Sequence, residues 1–216
     1  MTSNNQPVLF YVHIPKTTGT TMKLIILWLY RWNEIFWAKS NQYIQDKLKR
    51  LSHHELDQIK MVAGHTPFGM HEHFNFPNFK YFTILRDPYD RVISQYYYMS
   101  QKATHRLYKR IHEQKITLER LLTEGHLSTY NVQTFWLTGA DKSNFKQGVY
   151  NPEIVRQAKD NIDKYFAFVG LNDQFDESLI LMKRKFNWSW PMYARKNVNK
   201  SRKKKDEVSQ QALDLI

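Results

Sequence analysis

Residues 8–22 read Val-Leu-Phe-Tyr-Val-His-Ile-Pro-Lys-Thr-Thr-Gly-Thr-Thr-Met, and no other stretch limits the possible folds so tightly. An apolar run stops at Pro15, a lysine, four threonines and a glycine follow, and apolar residues resume at Met22. Strand, hydroxyl-rich turn and helix in that order make an anion site. The first N–H groups of a helix lack acceptors within it, and the helix dipole favours negative charge at that end. Lys16 adds a point charge, and Thr17, Thr20 and Thr21 add hydroxyl donors. A Thr-rich helix cap is the plain alternative. Such caps rarely carry a lysine, a glycine and four hydroxyls in seven residues, so the segment points to a phosphate or sulfate ester. It is not a nucleotide-triphosphate loop: GxxxxGK[ST] is absent and Lys16 precedes Gly19, which argues against Mg-dependent ATP or GTP chemistry.

The remaining pattern predicts buried strands at 8–14, 81–85 and 165–170, with a weaker one at 60–63. Helical patterns lie at 21–38, 42–50, 88–101, 118–124, 152–164 and 177–186, the first of them a long apolar-aromatic helix. Alternation of the two types means an α/β fold with a central, mostly parallel sheet flanked by helices. Ligands of such sheets bind beyond the carboxyl ends of the strands, where both Lys16 and Arg86 fall. Neither a repeat nor a low-complexity linker is visible, so a single domain over 1–216 is expected, with a last helix that starts at Asp206 and meets no clear stop signal.

The net charge of +12 on 216 residues implies an anionic partner, for which nucleic acid, an acidic polysaccharide, a membrane surface or a nucleotide would all serve. Much of the excess lies in the tract 195–205, and a charge run of that kind is more often a solvated surface. No motif for reading bases is visible, so nucleic acid is not expected. The absence of cysteine excludes disulfides, thiolate chemistry and Cys-based zinc sites. Residues 1–7 are polar and the longest apolar run, 24–30, is too short to span a bilayer. A cytoplasmic protein is therefore expected, with a trimmed lumenal domain as the alternative.

A second motif runs Leu85-Arg-Asp-Pro-Tyr-Asp-Arg-Val-Ile-Ser-Gln-Tyr-Tyr-Tyr98. Asp87 suits an N-cap and Pro88 the first helical position, which leaves Arg86 at a strand–helix junction. Arg91 and Ser94, three apart, share a helix face. Alone, the motif reads as an Arg–Asp surface pair with a packed aromatic stripe. Beside a second anion site it reads as a phosphate clamp formed by Arg86 and Ser94.

Together the two motifs resemble those of the sulfotransferases. Residues 13–21 look like the family's 5′-phosphosulfate-binding loop, and 86–94 with Tyr96-Tyr-Tyr98 like its 3′-phosphate-binding motif. The similarity is to the heparan sulfate 2-O-sulfotransferase-like branch and its bacterial relatives. It extends to Gly64-His-Thr-Pro-Phe-Gly-Met-His71, to 169–179 and to the basic segment 197–202. The resemblance implies a P-loop-like fold, the donor 3′-phosphoadenylyl sulfate (PAPS), the product adenosine 3′,5′-bisphosphate, and no metal. It further implies that Lys16 contacts the bridging oxygen and leaving 5′-phosphate, that Thr17, Gly19, Thr20 and Thr21 hold that phosphate, and that Arg86 and Ser94 hold the 3′-phosphate. Lys200, Ser201 and Arg202 would close over the donor. His65 would be the general base, since an imidazole titrates near neutral pH and the position follows the weak strand 60–63. His65, His71 and His73 lack the carboxylate pattern expected of a metal site. Two positions depart from the family: Thr18 stands where glycine or alanine is usual, and Phe135 where arginine is usual.

The expected reaction is in-line transfer of a sulfuryl group from PAPS to an acceptor hydroxyl, a carbohydrate such as an acidic glycan. A nucleotide-dependent kinase and a non-catalytic polyanion-binding protein are the competing readings.

Overall fold

The computed structural model describes residues 6–126, 130–141, 145, 150–190, 193 and 204–216. Five strands, β1 (Val8–Val12), β2 (Ile35–Ala38), β3 (Met61–Gly64), β4 (Phe79–Leu85) and β5 (Phe166–Leu171), make one sheet in the order β2-β3-β1-β4-β5. All neighbours pair parallel, so each strand must be reached by a crossover. Among the described residues these crossovers and flanks hold α1 (Gly19–Leu29), α2 (Asn41–Leu48), α3 (His53–Asp57), α4 (Pro88–Gln101), α5 (Tyr108–Glu113), α6 (Leu118–Thr123), α7 (Val132–Thr138), α8 (Pro152–Tyr165), α9 (Phe175–Phe186) and α10 (Gln210–Asp214). None of the described helices is long and apolar enough to cross a membrane.

Because side chains alternate along a strand, β1 feeds two cores at once. Leu9 and Tyr11 pack with Met22, Ile25 and Ile26 of α1 and Phe175, Leu179 and Met182 of α9. Phe10 and Val12 face the other way, onto Ile44 of α2, Ile59, Phe74 and Trp136 of α7. Burial on both faces explains why these strands read as unbroken apolar runs.

The predicted helix over 21–38 is corrected. It ends at Leu29, and after a 3-10 turn at Trp32–Glu34 the chain returns as β2, an edge strand in register with β3 from Ile35↔Met61 to Ala38↔Gly64. The Ile-Phe-Trp-Ala segment fits a half-buried strand as well as a helix face, and periodicity alone does not separate the two. The decision comes from residues far along the chain. The Lys60 amide donates to Glu34 O (2.9 Å), the Lys60 ammonium pairs with the Glu34 carboxylate, and Trp188 Nε1–H donates to the Tyr30 hydroxyl (2.8 Å).

By contrast, α4 spans 88–101 as expected, with Asp87 accepting from the Asp90 amide (3.0 Å) and Pro88 in the first turn. The expected helix from Asp206 is a 3-10 turn at Lys205–Glu207 followed by α10. Ser209 caps α10, and Ala212 is buried against Leu118 and Leu122 of α6.

Candidate active site

At the end of β1 the chain passes from extended backbone into a tight loop. The His13 amide donates to Gly64 O (3.2 Å), Ile14 is fully buried, and the buried Thr17 hydroxyl donates back to Ile14 O (2.8 Å). Lys16 and Thr18 both take left-handed backbone angles, with φ of 73° and 64°. Left-handed backbone costs a residue with a side chain about 1–2 kcal/mol. These two turns curl the loop so that α1 begins at Gly19, with Met22 N–H donating to Thr18 O (3.1 Å) as its first ladder bond. The amides before Met22 therefore precede the helix's own ladder at the positive end of its dipole. Thr20 is exposed there and Thr21 is buried.

The conformation of Thr18 explains why glycine would suit that position. Its hydroxyl compensates by donating to the amide oxygen of Asn172, which follows β5 and whose own N–H donates to Leu85 O (2.7 Å). The loop is thus tied to the far edge of the sheet.

Three elements converge on this loop. Arg86, at the end of β4, donates from Nη1 to Lys16 O (3.1 Å). Lys16 Nζ lies 4.0 Å above the Tyr98 ring of α4, one helical turn beyond Ser94, which is partly exposed. Gln133 of α7 brackets Arg86, accepting from its amide (2.9 Å) and donating to its carbonyl (2.8 Å). Arg91 is buried on α4, and burial followed by the charge of Arg86 holds its pKa down at about 10. Like charges gathered so closely favour an anion between the strand ends.

His65 sits one residue beyond β3. Its Nδ1 lies 3.1 Å from the carbonyl oxygen of His13. A carbonyl only accepts, so Nδ1 carries the proton and Nε2 is the unprotonated nitrogen. The His65 ring stacks on the His13 ring with centroids 3.8 Å apart, and the Trp136 ring of α7 meets it edge-on at 6.0 Å. Burial lowers the His65 pKa, and the bond to His13 O opposes that shift in part. His71 belongs elsewhere: its amide donates to the Tyr81 hydroxyl (3.0 Å) and its ring stacks on Phe79 at 4.5 Å. No group of three metal-ligating side chains occurs among the described residues.

Lys16, Thr17, Gly19, Thr20, Thr21 and Arg86 are therefore gathered at one loop, with Ser94 on the helix that carries Tyr98. His65 adjoins the same loop through His13. Lys200, Ser201 and Arg202 lie outside the described residues. The sequence reading placed His13, Tyr98 and Asn172 inside family-like segments (13–21, 96–98 and 169–179) without giving them a role, and it gave none to Gln133 or Trp136. Only α7 left a usable signal, the glycine at position 139 that ends it in a left-handed turn. Phe135, where the family resemblance leads one to expect arginine, packs edge-on against Phe145 at 5.5 Å.

No curated protein matches the sequence. Among solved structures, the chain is similar to a mouse sulfotransferase, SULT7A1, complexed with PAP, at 14% identity and a TM-score of 0.48. That similarity covers 97% of this chain and 62% of the mouse chain, so the chain spans under two thirds of that relative's length. The sequence itself matches the sulfotransferase family over residues 1–147, about two thirds of its length, and the chain belongs to that family.

Proposed function

We propose that the chain transfers a sulfuryl group from PAPS to an acceptor hydroxyl, with His65 as general base. The observation that carries this reading is the convergence of two anion-binding motifs and an oriented imidazole at one sheet edge: Arg86 bonds the backbone of Lys16, and His65 bonds the backbone of His13.

The residues suit such a donor. The loop offers an ammonium, hydroxyls and helix-start amides with no carboxylate between Lys16 and Thr21, and Arg86 bears on a second buried guanidinium. PAPS, when bound, supplies the activated sulfuryl group and a phosphate leaving group. His65 Nε2 accepts the proton of the acceptor hydroxyl as its oxygen bonds to sulfur and the bond from sulfur to the leaving phosphate oxygen breaks. Lys16 and the loop amides neutralise the charge that builds on that phosphate, and Thr17, Thr20 and Thr21 orient it. Arg86 and Ser94 hold the 3′-phosphate. The net charge of +12 suits an acidic glycan acceptor.

The test is calorimetry with adenosine 3′,5′-bisphosphate in the absence of Mg²⁺, followed by incubation with labelled PAPS and a panel of glycan, phenol and alcohol acceptors. Binding and label transfer are expected. Binding of Mg-ATP alone would favour a kinase, and salt-sensitive polyanion binding without transfer would leave only a scaffold.

A further inference from the structure

We infer that His13 is a positioning residue, whose backbone carbonyl and ring together fix the tautomer of His65 and its place beside the anion-binding loop. This rests on the proposed role of His65 as the base.

The register of the sheet creates the pairing. Val12 lies opposite Gly64 in the β1–β3 ladder, so the next residues, His13 and His65, emerge side by side at the strand ends. Gly64 permits the approach of β2, since a Cβ there would fall 1.8 Å from Ala38 O. On its other side the His13 ring presses on the loop. A Cβ on Gly19 would fall 1.4 Å from His13 Nε2 and 2.1 Å from Cδ2, so the first residue of α1 must be glycine for the ring to occupy this place. Tyr11 stacks on the same ring, with centroids 5.6 Å apart and planes 13° apart. His13 is thus a rigid plate with the loop at its edge and the base on its face.

The electrostatics follow from the stack. Two imidazolium rings at 3.8 Å would repel strongly, so the pair tolerates one proton. Among the described residues the titratable groups facing the pair include Tyr11 of β1, whose ring stacks on His13. From β1 the titratable neighbour of His65 is His13, from α1 Lys23 acts on His13, and from α7 the neighbour is the uncharged Trp136. Burial, then His65, then Lys23 push His13 down to about 3. The incoming proton therefore goes to His65 Nε2, and the resulting cation lies on the face of a neutral aromatic ring, a favourable arrangement.

The experiment uses the full chain with ¹⁵N-labelled histidine. Ring-nitrogen NMR reads the tautomer and titration midpoint of His65, alongside the pH profile of kcat and the affinity for adenosine 3′,5′-bisphosphate. In the wild type, His65 is expected as the Nδ1–H tautomer with a midpoint below 6.5. His13→Ala, which keeps the carbonyl but removes the ring, is expected to retain the Nδ1–H tautomer while raising that midpoint toward 6.5 and lowering kcat by about tenfold or more, with bisphosphate affinity changed by less than about threefold. His13→Phe, which keeps the plate, is expected to restore the midpoint and most of the turnover. An unchanged His65 midpoint and kcat in His13→Ala overturns the inference. So does loss of bisphosphate binding with an unaltered His65 spectrum. Should His13→Ala not fold, His13→Leu, which fills the space without an aromatic face, carries the same readouts and expectations. His65→Ala separates the two claims: if it turns over like the wild type while His13→Ala still shifts the His65 spectrum, the base assignment fails and the positioning stands.

Discussion

Gly19→Ala is the sharpest perturbation the site offers, because it adds one methyl group at the contact between loop and plate. The new Cβ would meet three atoms of the His13 ring at 1.4, 2.1 and 2.3 Å. Carbon contacts settle near 3.5–4.0 Å, so the ring must retreat by roughly 2 Å. It cannot do so freely, since Tyr11 and His65 stack against it. Overpacking of this kind costs about 1–3 kcal/mol, and alanine's advantage over glycine in a helix returns up to about 1 kcal/mol. The net loss of about 1–2 kcal/mol corresponds, at about 2–4 °C per kcal/mol for a chain of this size, to a Tm lower by about 2–8 °C. Turnover should fall further than stability implies, by about 10²-fold, because the base moves with the plate. Gly170→Ala is the control. Its Cβ would meet Ile84 Cδ1 at 2.6 Å, Ser178 Cβ at 3.0 Å and Phe168 Cε1 at 3.1 Å, away from the His13 ring, so a stability loss of about 1–3 kcal/mol without the further fall in turnover is expected. Thermal melts and PAPS turnover on both variants decide the matter. A Gly19→Ala protein with wild-type Tm and turnover, or one whose turnover falls less than that of Gly170→Ala, would refute the reasoning.

His65→Ala should fold and bind adenosine 3′,5′-bisphosphate while losing about 10²–10⁴ in turnover; near-normal turnover removes the residue from the role of base. Since the folded environment lowers the pKa of His65, the base stays neutral into mildly acidic solution. The acidic limb of kcat should therefore lie below pH 6.5, and a limb above it would contradict the partial desolvation of the ring by the stack on His13. His13 also links stability to pH. Between its folded pKa of about 3 and its ordinary value of 6.5 the unfolded chain binds the extra proton, so stability is lost as pH falls through this window. The slope is up to about 1.4 kcal/mol per pH unit. Melts from pH 7.5 to 5 should show it, with a shallower slope in His13→Phe, and an equal slope in both would absolve His13. Arg86→Gln should weaken adenosine 3′,5′-bisphosphate by about tenfold or more yet barely affect adenosine 5′-phosphate, as loss of a charge-assisted contact to one phosphate requires. Equal losses for both nucleotides would place Arg86 away from the 3′-phosphate.

What could be read directly was whatever a few adjacent residues encode. Asp87 and Pro88 announce the start of α4 because capping acts within one turn. Pro15, Lys16 and Gly19 announce a loop between strand and helix for the same reason. Segment 30–38 misled because its apolar residues satisfy either period, and the deciding partners, Lys60 and Trp188, are distant in sequence. α7 was missed because it is seven residues long with a left-handed N-cap at Asn131, so only Gly139 at its end marked it. Yet it delivers Gln133 to Arg86 and Trp136 to His65.

The amino-acid sequence by itself determined the loop between β1 and α1, the start of α4 after Arg86, the parallel α/β plan and the residue types proposed for the chemistry. These depend on local backbone preference and on side-chain type. Only the tertiary structure decided how they work together. The β1–β3 register set His13 under His65, the β5 edge brought Asn172 to hold Thr18 in a left-handed turn, and α1 required glycine where the His13 ring lies. Each of these is a contact between residues brought together by strand register or packing, and such a contact has no signature in the neighbouring sequence until the chain closes on itself.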